Sequence, residues 1–227
     1  GANLAYQGED KESYRWYFKQ RTNEYFDDYS DLTDLIKALD ASTTPDSEFE
    51  SAIEAMIDSD EWLALLATRT MIGDWDSLGY CDGKNVYFYR PRGVGKWIMI
   101  PWDDDNVFQS NHISAPIFHL APCGYNSPGF PNVNRFRNWP RYKRRYYGYL
   151  LELINGPYSR AEADPVLDAV YDVLRGESGV SSPGEIKSFL TSRANFVVGQ
   201  IPASSLEITT NSGEPYVYGK PSVRLEG

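Results

Sequence analysis

The apolar positions in the first third of the chain recur with the period of an α-helix, which predicts three helices. The first begins at Ser30 or Asp31, the second carries a capping box of Ser47 and Glu50, and the third ends at Gly73. Their apolar faces are Leu32, Leu35, Ile36 and Leu39 in the first helix, Phe49, Ile53, Met56 and Ile57 in the second, and Trp62, Leu65 and Leu66 in the third.

After Gly73 the pattern changes to short runs of β-branched and aromatic residues. Residues 86–89 (VYFY) and 97–100 (WIMI) flank a segment rich in Pro and Gly, which predicts a β-hairpin. Residues 109–137 are rich in Pro, Asn, Ser and Gly, and we expect a long loop there. Compact domains mostly keep loops of this length for function.

Helical periodicity returns in the last third of the chain. Pro140 at the first helical position opens one helix, Asp164 and Pro165 open another, and Ser182 with Glu185 forms a capping box for the last. The sequence therefore predicts an α+β fold that is mostly helical and has one central hairpin. The short β runs after Pro202 indicate a linker and the start of a following β module over residues 204–227.

The composition indicates a globular protein, argues against a membrane span and disfavours nucleic acid as a partner. Of 227 residues, 41% are hydrophobic, but no apolar run approaches the ~18 residues that cross a bilayer. The net charge of −10 disfavours binding to nucleic acid. The acidic excess lies in residues 1–62, which hold 16 Asp and Glu against 5 Lys and Arg, whereas the remainder holds 16 against 17.

Two clusters of side chains outside the hairpin have a structural interpretation. We expect the aromatic residues between positions 14 and 29 to pack in the core rather than to bind a ligand. The basic residues between positions 135 and 145 could bind phosphate or an acidic substrate, but we favour intramolecular pairing with the acidic residues 1–62. These residues are Arg135, Arg137, Arg141, Lys143, Arg144 and Arg145.

Carboxylates are concentrated at one end of the predicted hairpin. Asn85 directly precedes the first strand and Asp103 follows the second, so antiparallel pairing brings them together. In an extended chain Asp103 and Asp105 share a face and Asp104 points away. Such a set of oxygens suits Mg²⁺, Mn²⁺ or Ca²⁺ and does not suit zinc. Asp76, in the loop before the first strand, either joins this set or acts separately as a base.

A structural explanation of these acids competes with the metal site. Acidic runs in loops are commonly solvated, and Asp at the end of a strand often caps the next turn. Trp75 and Trp102 flank the acids, and we expect them to form a packed wall that keeps the site dry. A Trp in that position would make truncation to Ala costly.

Three segments resemble the signature of the CotH family of spore coat protein H-like atypical kinases. They are residues 74–77 (DWDS), 84–89 (KNVYFY) and 95–105 (GKWIMIPWDDD). The family pattern is roughly a D-S loop, an H-N-Y-Y-L-Y strand and a W-x-x-I-P-W-D-x-D turn. The likeness extends over most of residues 1–200, and the pairing of the strand motif with I-P-W-D-x-D is far more specific than a lone D-x-D.

The resemblance implies transfer of phosphate from ATP to Ser or Thr hydroxyls of a protein substrate, in a fold similar to the carboxyl-terminal lobe of protein kinases. Matched residue by residue, Asp76 is the catalytic Asp, and Asn85, Asp103 and Asp105 bind the metal and, through it, ATP. Magnesium or manganese would be the ion. The chain departs from the pattern at Lys84, where the family commonly has His, and at Asp104, where an apolar residue is common.

The resemblance also implies a domain organisation. Residues 1–203 correspond to the kinase-like carboxyl-terminal lobe, and the β-rich lobe that family members carry upstream has no counterpart in this sequence. The segment 204–227 is similar to the first strands of an immunoglobulin-like module, as in large bacterial surface proteins. On that basis we expect an exported protein in which this chain contacts the rest of its own multidomain polypeptide and Cys81 can pair with Cys123.

Two functions from different classes therefore remain open. The first is a segment of a CotH-like protein kinase that uses ATP with Mg²⁺ or Mn²⁺. The second is a non-catalytic module of a surface protein in which the same acids bind Ca²⁺ structurally, in adhesion or assembly. The expected absence of the upstream lobe favours the second function for this polypeptide by itself. The presence of Asp76 beside Asp103 and Asp105 favours the kinase for its parent protein, because a structural Ca²⁺ site has no need of a base.

Overall fold

The computed structural model describes residues 3–80, 83–91, 93, 95–118 and 130–203. These residues form eight α-helices, one two-stranded antiparallel sheet and two short 3₁₀ turns, which confirms the mostly helical α+β class. The helices are α1 (Glu12–Arg15), α2 (Ser30–Leu39), α3 (Asp46–Met56), α4 (Ser59–Ile72), α5 (Pro131–Asn138), α6 (Pro140–Asn155), α7 (Arg160–Leu174) and α8 (Gly184–Gln200). The strands are β1 (Val86–Tyr89) and β2 (Ile98–Pro101), and the 3₁₀ turns are Glu24–Phe26 and Ser110–His112.

Helix α4 lies at the centre of the fold, because α6, α8 and β2 all pack against it. Its buried residues are distributed around the whole circumference, as expected of a helix that is covered on several sides. The side chain of Asp58 caps its start by accepting a hydrogen bond from the amide of Glu61 at 3.2 Å. The apolar residues of α4 in the core are Trp62, Leu63, Leu66, Ala67 and Met71.

Helix α4 ends at Gly73, as the sequence predicts. Gly73 has a left-handed φ of +67°, which favours glycine, and its amide bonds to the carbonyl of Arg69. A Cβ at this position would lie 3.1 Å from the Cβ of His112 and from the ring of Phe189. The tight packing therefore fixes the direction in which the chain leaves α4 toward Asp74.

The hairpin has the predicted antiparallel pairing, with Val86 opposite Pro101 and Tyr89 opposite Ile98. Residues alternate between its two faces. Phe88 packs against Trp62, with ring centroids 5.6 Å apart, and Met99 is buried. Tyr89 and Ile100, on the opposite face, are exposed.

Three of the six basic residues of α5 and α6 pair with acidic residues of the first 62, which confirms the structural interpretation for that half of the cluster. Arg135 lies 2.7 Å from Asp46, and Arg141 lies 3.6 Å from Glu50. Arg145 forms an ion pair with Asp60. These ion pairs connect α3 and the start of α4 to α5 and α6.

Four predictions about where helices begin are wrong. Residues 131–137, expected in a long loop, lie in α5, which Pro131 begins at its first position. Helix α7 begins at Arg160 rather than at Pro165, because Ser159 caps it by accepting from the amide of Glu162. Neither α3 nor α8 has a side-chain cap, so the capping boxes of Ser47 and Ser182 do not form.

The aromatic residues near the amino terminus divide into two groups. Tyr14 and Tyr29 are buried, as predicted. Most of the others are exposed, so the expectation that the whole cluster packs is wrong. Those with high exposure are Trp16, Tyr17, Tyr25 and Phe26.

Three predictions concern residues outside those that the structure describes. The pairing of Cys81 with Cys123, the centre of the 109–137 loop and the β module at 204–227 lie outside the described residues. Within the part of the chain that the structure describes, no helix combines the length and apolar character needed to cross a bilayer.

Candidate active site

The open end of the hairpin brings Asn85 and Asp103 together, as the sequence predicts. The Trp102 amide donates to the Asn85 carbonyl at 3.0 Å, one step beyond the last strand pair. The Asn85 side-chain nitrogen donates to the main-chain carbonyl of Asp103 at 3.4 Å. This hydrogen bond joins the side chain of Asn85 to the backbone of Asp103, so it does not involve the carboxylate of Asp103.

The backbone turns at both of these residues. Asn85 has φ +60° and Asp103 has φ +58°, left-handed values that Asn and Asp adopt more readily than most residues. Residues 104 and 105 lie in a turn, so the expectation of an extended chain with Asp103 and Asp105 on one face is wrong. Each of the three consecutive acids instead has its own surroundings.

Asn106 connects Asp76 with Asp105. Its side-chain nitrogen donates to Asp105 at 2.9 Å and lies 3.4 Å from Asp76 Oδ2. The two carboxylates, which are 29 positions apart in the chain, are therefore both within reach of one amide nitrogen. Asp76 is buried, and its Oδ1 accepts no hydrogen bond from the described residues, whereas Asp105 is exposed.

Asp104 points away from its neighbours toward a buried arginine of α4. Its Oδ1 lies 3.3 Å from Nη2 of Arg69. The same nitrogen donates to the main-chain carbonyl of Asn85, and Nε of Arg69 lies 3.3 Å from Asp74 Oδ2. Arg69 thus contacts both acidic segments, at Asp74 and at Asp104, and the backbone of Asn85.

Asp74 is fully buried, and Arg69 is the cation beside it. Burial raises the pKa of Asp74 to about 7; the guanidinium of Arg69 opposes this rise, and the nearby Asp104 adds to it. Within the described residues neither oxygen of Asp74 accepts a hydrogen bond, although Arg69 contacts one of them. Removal of Arg69 would leave a buried carboxylate without a compensating charge.

The two tryptophans near the acids do not form the predicted wall. The side chain of Trp102 is 59% exposed and touches Tyr87, with ring centroids 5.7 Å apart. Trp75 stacks on His112 with an interplanar angle of 2°. Asp103, Asp104 and Asp105 are exposed, so the outer part of the site is open to solvent rather than dry.

The donor set suits a hard cation. Asp103 and Asp105 present exposed carboxylates, and the Asp103 carboxylate accepts no hydrogen bond or ion pair from any described residue. Across the described residues, no group of three or more His, Cys, Asp or Glu side chains converges closely enough to hold a metal. The Asn85 amide oxygen, water and phosphate oxygens would have to complete the coordination shell.

The sequence pattern predicts no functional role for Arg69 or Asn106. Arg69 appears in the sequence as one more residue of an apolar helix face, and only its burial beside two acidic segments and Asn85 shows its importance. Asn106 directly follows the acidic run, so its proximity to Asp105 is expected. Its contact with Asp76 depends on the turn at 104–105, which the residue pattern does not reveal.

The structure defines a mostly helical domain that carries its acidic residues, a neighbouring Asn and a buried Asp at one end of a hairpin. The family model described as CotH kinase protein matches residues 1–201. The chain therefore belongs to the CotH kinase family. Membership implies a kinase-like role with nucleotide, metal and protein substrate in general terms, and it fits a surface or exported protein.

A search of curated proteins gives no match to the chain.

Proposed function

We propose that this chain is the catalytic portion of a CotH-like protein kinase that transfers phosphate from ATP to Ser or Thr hydroxyls of a surface or coat protein. The observation that supports this best is the link from Asp76 through Asn106 to Asp105. A base and a metal ligand held side by side are what phosphoryl transfer requires of a protein.

Asp76 is the base in this proposal. The hydroxyl oxygen of the substrate attacks the γ-phosphorus of ATP, and the bond from that phosphorus to the bridging oxygen breaks. The electron pair leaves with ADP, and the proton of the hydroxyl passes to Asp76. Asn106 lies 3.4 Å from one carboxylate oxygen of Asp76, and the other oxygen is buried and accepts no hydrogen bond from the described residues, so its lone pairs remain unused.

Asn85, Asp103 and Asp105 are the proposed ligands of Mg²⁺ or Mn²⁺ and, through the ion, of ATP. The ion would neutralise negative charge on the phosphates during transfer. The protein supplies carboxylate oxygens of Asp103 and Asp105 at the open end of the hairpin. The left-handed backbone at Asn85 and Asp103 sets the direction of both side chains.

Thermal unfolding in the presence of Mn²⁺, Ca²⁺ and Mn²⁺ with ATP tests the proposal. Ligand at ~100 times its Kd adds about 2.7 kcal/mol, which raises the Tm of a domain of this size by roughly 5–10 °C. We expect the largest rise with Mn²⁺ and ATP together. A rise with Ca²⁺ alone would instead support a structural calcium module.

Substitutions at Asp103 and Asp76 separate binding from transfer. Asp103→Ala removes a ligand, so we expect the rise in Tm with Mn²⁺ and ATP to disappear. Asp76→Ala removes the base, so we expect that rise to persist while phosphate transfer to a protein substrate stops. Asp172→Ala, on the exposed side of α7, is the control and retains both. Equal loss of binding in the first two variants would make Asp76 a ligand rather than a base.

A further inference from the structure

Arg69 is a buried cation in contact with every segment of the candidate site. Arg69 lies on the central helix α4, and its side chain is 3% exposed. One nitrogen, Nη2, donates to the carbonyl of Asn85 and lies 3.3 Å from Asp104 Oδ1. Nε lies 3.3 Å from Asp74 Oδ2, two positions before Asp76.

The carbonyl of Asn85 is the point at which these contacts meet the hairpin. It accepts from Arg69 and from the amide of Trp102, so two donors on different elements fix the orientation of that peptide. Asn85 has a positive φ, and an anchored carbonyl holds it in this uncommon conformation. The direction of the Asn85 side chain follows from its backbone.

Asp104 forms the other half of the connection. It lies between Asp103 and Asp105, which we assign as ligands, and its own carboxylate faces inward to Arg69. The contact of Asp104 with Arg69 therefore restrains the backbone of the turn at Asp103 and at Asp105. A single guanidinium is therefore bonded to one side of the site at Asn85 and to the other at Asp104.

We propose that Arg69 is a positioning residue that holds Asn85 and the 103–105 turn at the spacing needed for the metal ion, with Asp104 as its partner. This inference rests on the proposed function of the same site. Arg69 itself carries a positive charge and is not a ligand. Outer residues that orient metal ligands typically change metal affinity by about 10- to 100-fold when they are replaced.

Because Arg69 is positively charged, a positioning role and a purely electrostatic role predict opposite changes in metal affinity when Arg69 is neutralised. If Arg69 acted on a bound cation only through its charge, its neutralisation would strengthen metal binding, because like charges repel. A positioning role predicts the opposite result, since loss of the contacts would let the ligands separate. Metal affinity therefore distinguishes the two roles.

The first test is Arg69→Lys, assayed by titration with Mn²⁺ alone. Lysine keeps the charge but has one nitrogen on a flexible stem, so it does not reproduce the forked contact to Asp74, Asn85 and Asp104. We expect the Kd for Mn²⁺ to rise about 10-fold.

The matched control is Arg193→Lys, because Arg193 is equally buried but donates to the carbonyls of Thr70, Ile113 and Ala115. Its Kd should stay within twofold of the original protein.

The second test is the pair Arg69→Gln with Asp74→Asn, which removes both buried charges together and so avoids an unpaired carboxylate. Weaker Mn²⁺ binding than in the original chain supports positioning. The double variant keeps the net local charge, so a purely electrostatic role predicts no change in its Kd. An unchanged or lower Kd in this double variant, or an unchanged Kd in Arg69→Lys, overturns positioning.

Amide hydrogen exchange provides a result that does not depend on metal. The Trp102 amide bonds to the Asn85 carbonyl, so loosening of that carbonyl in Arg69→Lys should speed its exchange, while Arg193→Lys should leave it unchanged. If the original chain binds no Mn²⁺, the proposed function fails. In that case faster exchange at Trp102 still supports Arg69 as the residue that positions Asn85, and unchanged exchange overturns it.

Discussion

Trp62 and Trp102 show how much the surroundings of a residue decide its energetic role. Trp62 is 1% exposed and contacts Phe88 and Phe136, and its indole nitrogen donates to the carbonyl of Trp97 at 3.0 Å. Trp102 is mostly exposed at the end of the hairpin. The sequence suggests a packed role for Trp102, but only Trp62 has one.

We therefore expect different costs for the two truncations. Trp62→Ala should lower the free energy of unfolding by about 3–5 kcal/mol, because it leaves a cavity and removes one of the two hydrogen bonds that the carbonyl of Trp97 accepts. Trp102→Ala should lower it by less than about 1 kcal/mol, as expected for a surface substitution. Denaturant unfolding measures both values. A cost for Trp102→Ala equal to that for Trp62→Ala would contradict the exposed position.

The proximity of Asn85 and Asp103 could be predicted from the sequence because it follows from strand pairing, which the alternation of residues reveals. The same pattern predicts that Asp104 points away from Asp103, but the contact of Asp104 with Arg69 and the turn that brings Asp105 to Asn106 could not be predicted. They depend on a positive φ at Asp103 and on a buried arginine 35 positions earlier, and neither leaves a periodic signal.

At the scale of elements, the junction between α4 and the acidic loop depends on Gly73. The left-handed φ of this residue and the close approach of His112 and Phe189 leave no room for a side chain. Gly148, in the middle of α6, has an ordinary helical backbone and open space where a Cβ would lie. The two glycines thus form a natural pair for comparison.

Gly73→Ala should destabilise the protein by about 1–3 kcal/mol, because alanine is strained in the left-handed region and its methyl group would crowd His112 and Phe189. Gly148→Ala should stabilise it by about 0.5–1 kcal/mol, because alanine favours the helix. Thermal or denaturant unfolding gives both signs. Stabilisation by Gly73→Ala would show that the α4 terminus is looser than described.

Helix positions were predicted more accurately than helix ends. The periodic apolar residues of α2 and α4 are those that pack in the core, so the sequence predicts the positions of these two helices closely. The start of α7 was missed because a helix can include Pro165 within its early turns while Ser159 caps it. Several residue types can cap a helix, so local composition leaves the choice open.

At the scale of the whole molecule, Asp40 joins three segments that are distant in sequence. One of its oxygens accepts from the amide of Tyr6 at 3.1 Å and from Asn132 of α5 at 3.0 Å, and the other accepts from Ser42 just after α2. Burial alone would raise the pKa of Asp40, but hydrogen bonds from Asn132, Ser42 and Tyr6 outweigh it and lower the pKa to about 2.

This shift makes part of the stability depend on pH. The pKa of Asp40 is lower in the folded chain than its ordinary value of 3.8, so its stabilising effect is present above about pH 4 and is lost as the pH falls toward 2. Asp40→Asn should cost about 1 kcal/mol at pH 7, and its difference from the original chain should shrink between pH 4 and 2. Unfolding curves across this range measure the change.

Asp34→Asn, on the exposed side of α2, serves as the control for this experiment and should differ little from the original chain at any pH. A constant difference between Asp40→Asn and the original chain from pH 7 to 2 would show that the Asp40 contacts do not depend on its charge.

The pairing of acidic and basic helices also has a consequence for synthesis of the protein. Residues 1–62 leave the ribosome with 16 acidic and 5 basic side chains, while the arginines that neutralise Asp46, Glu50 and Asp60 belong to α5 and α6. At ordinary translation rates the end of α6 follows residue 62 by roughly 5–20 s. During that interval α2 and α3 can already pack on each other, but their acidic side chains repel one another without these arginines. The ion pairs that join α3 and α4 to α5 and α6 form only when the latter two helices emerge.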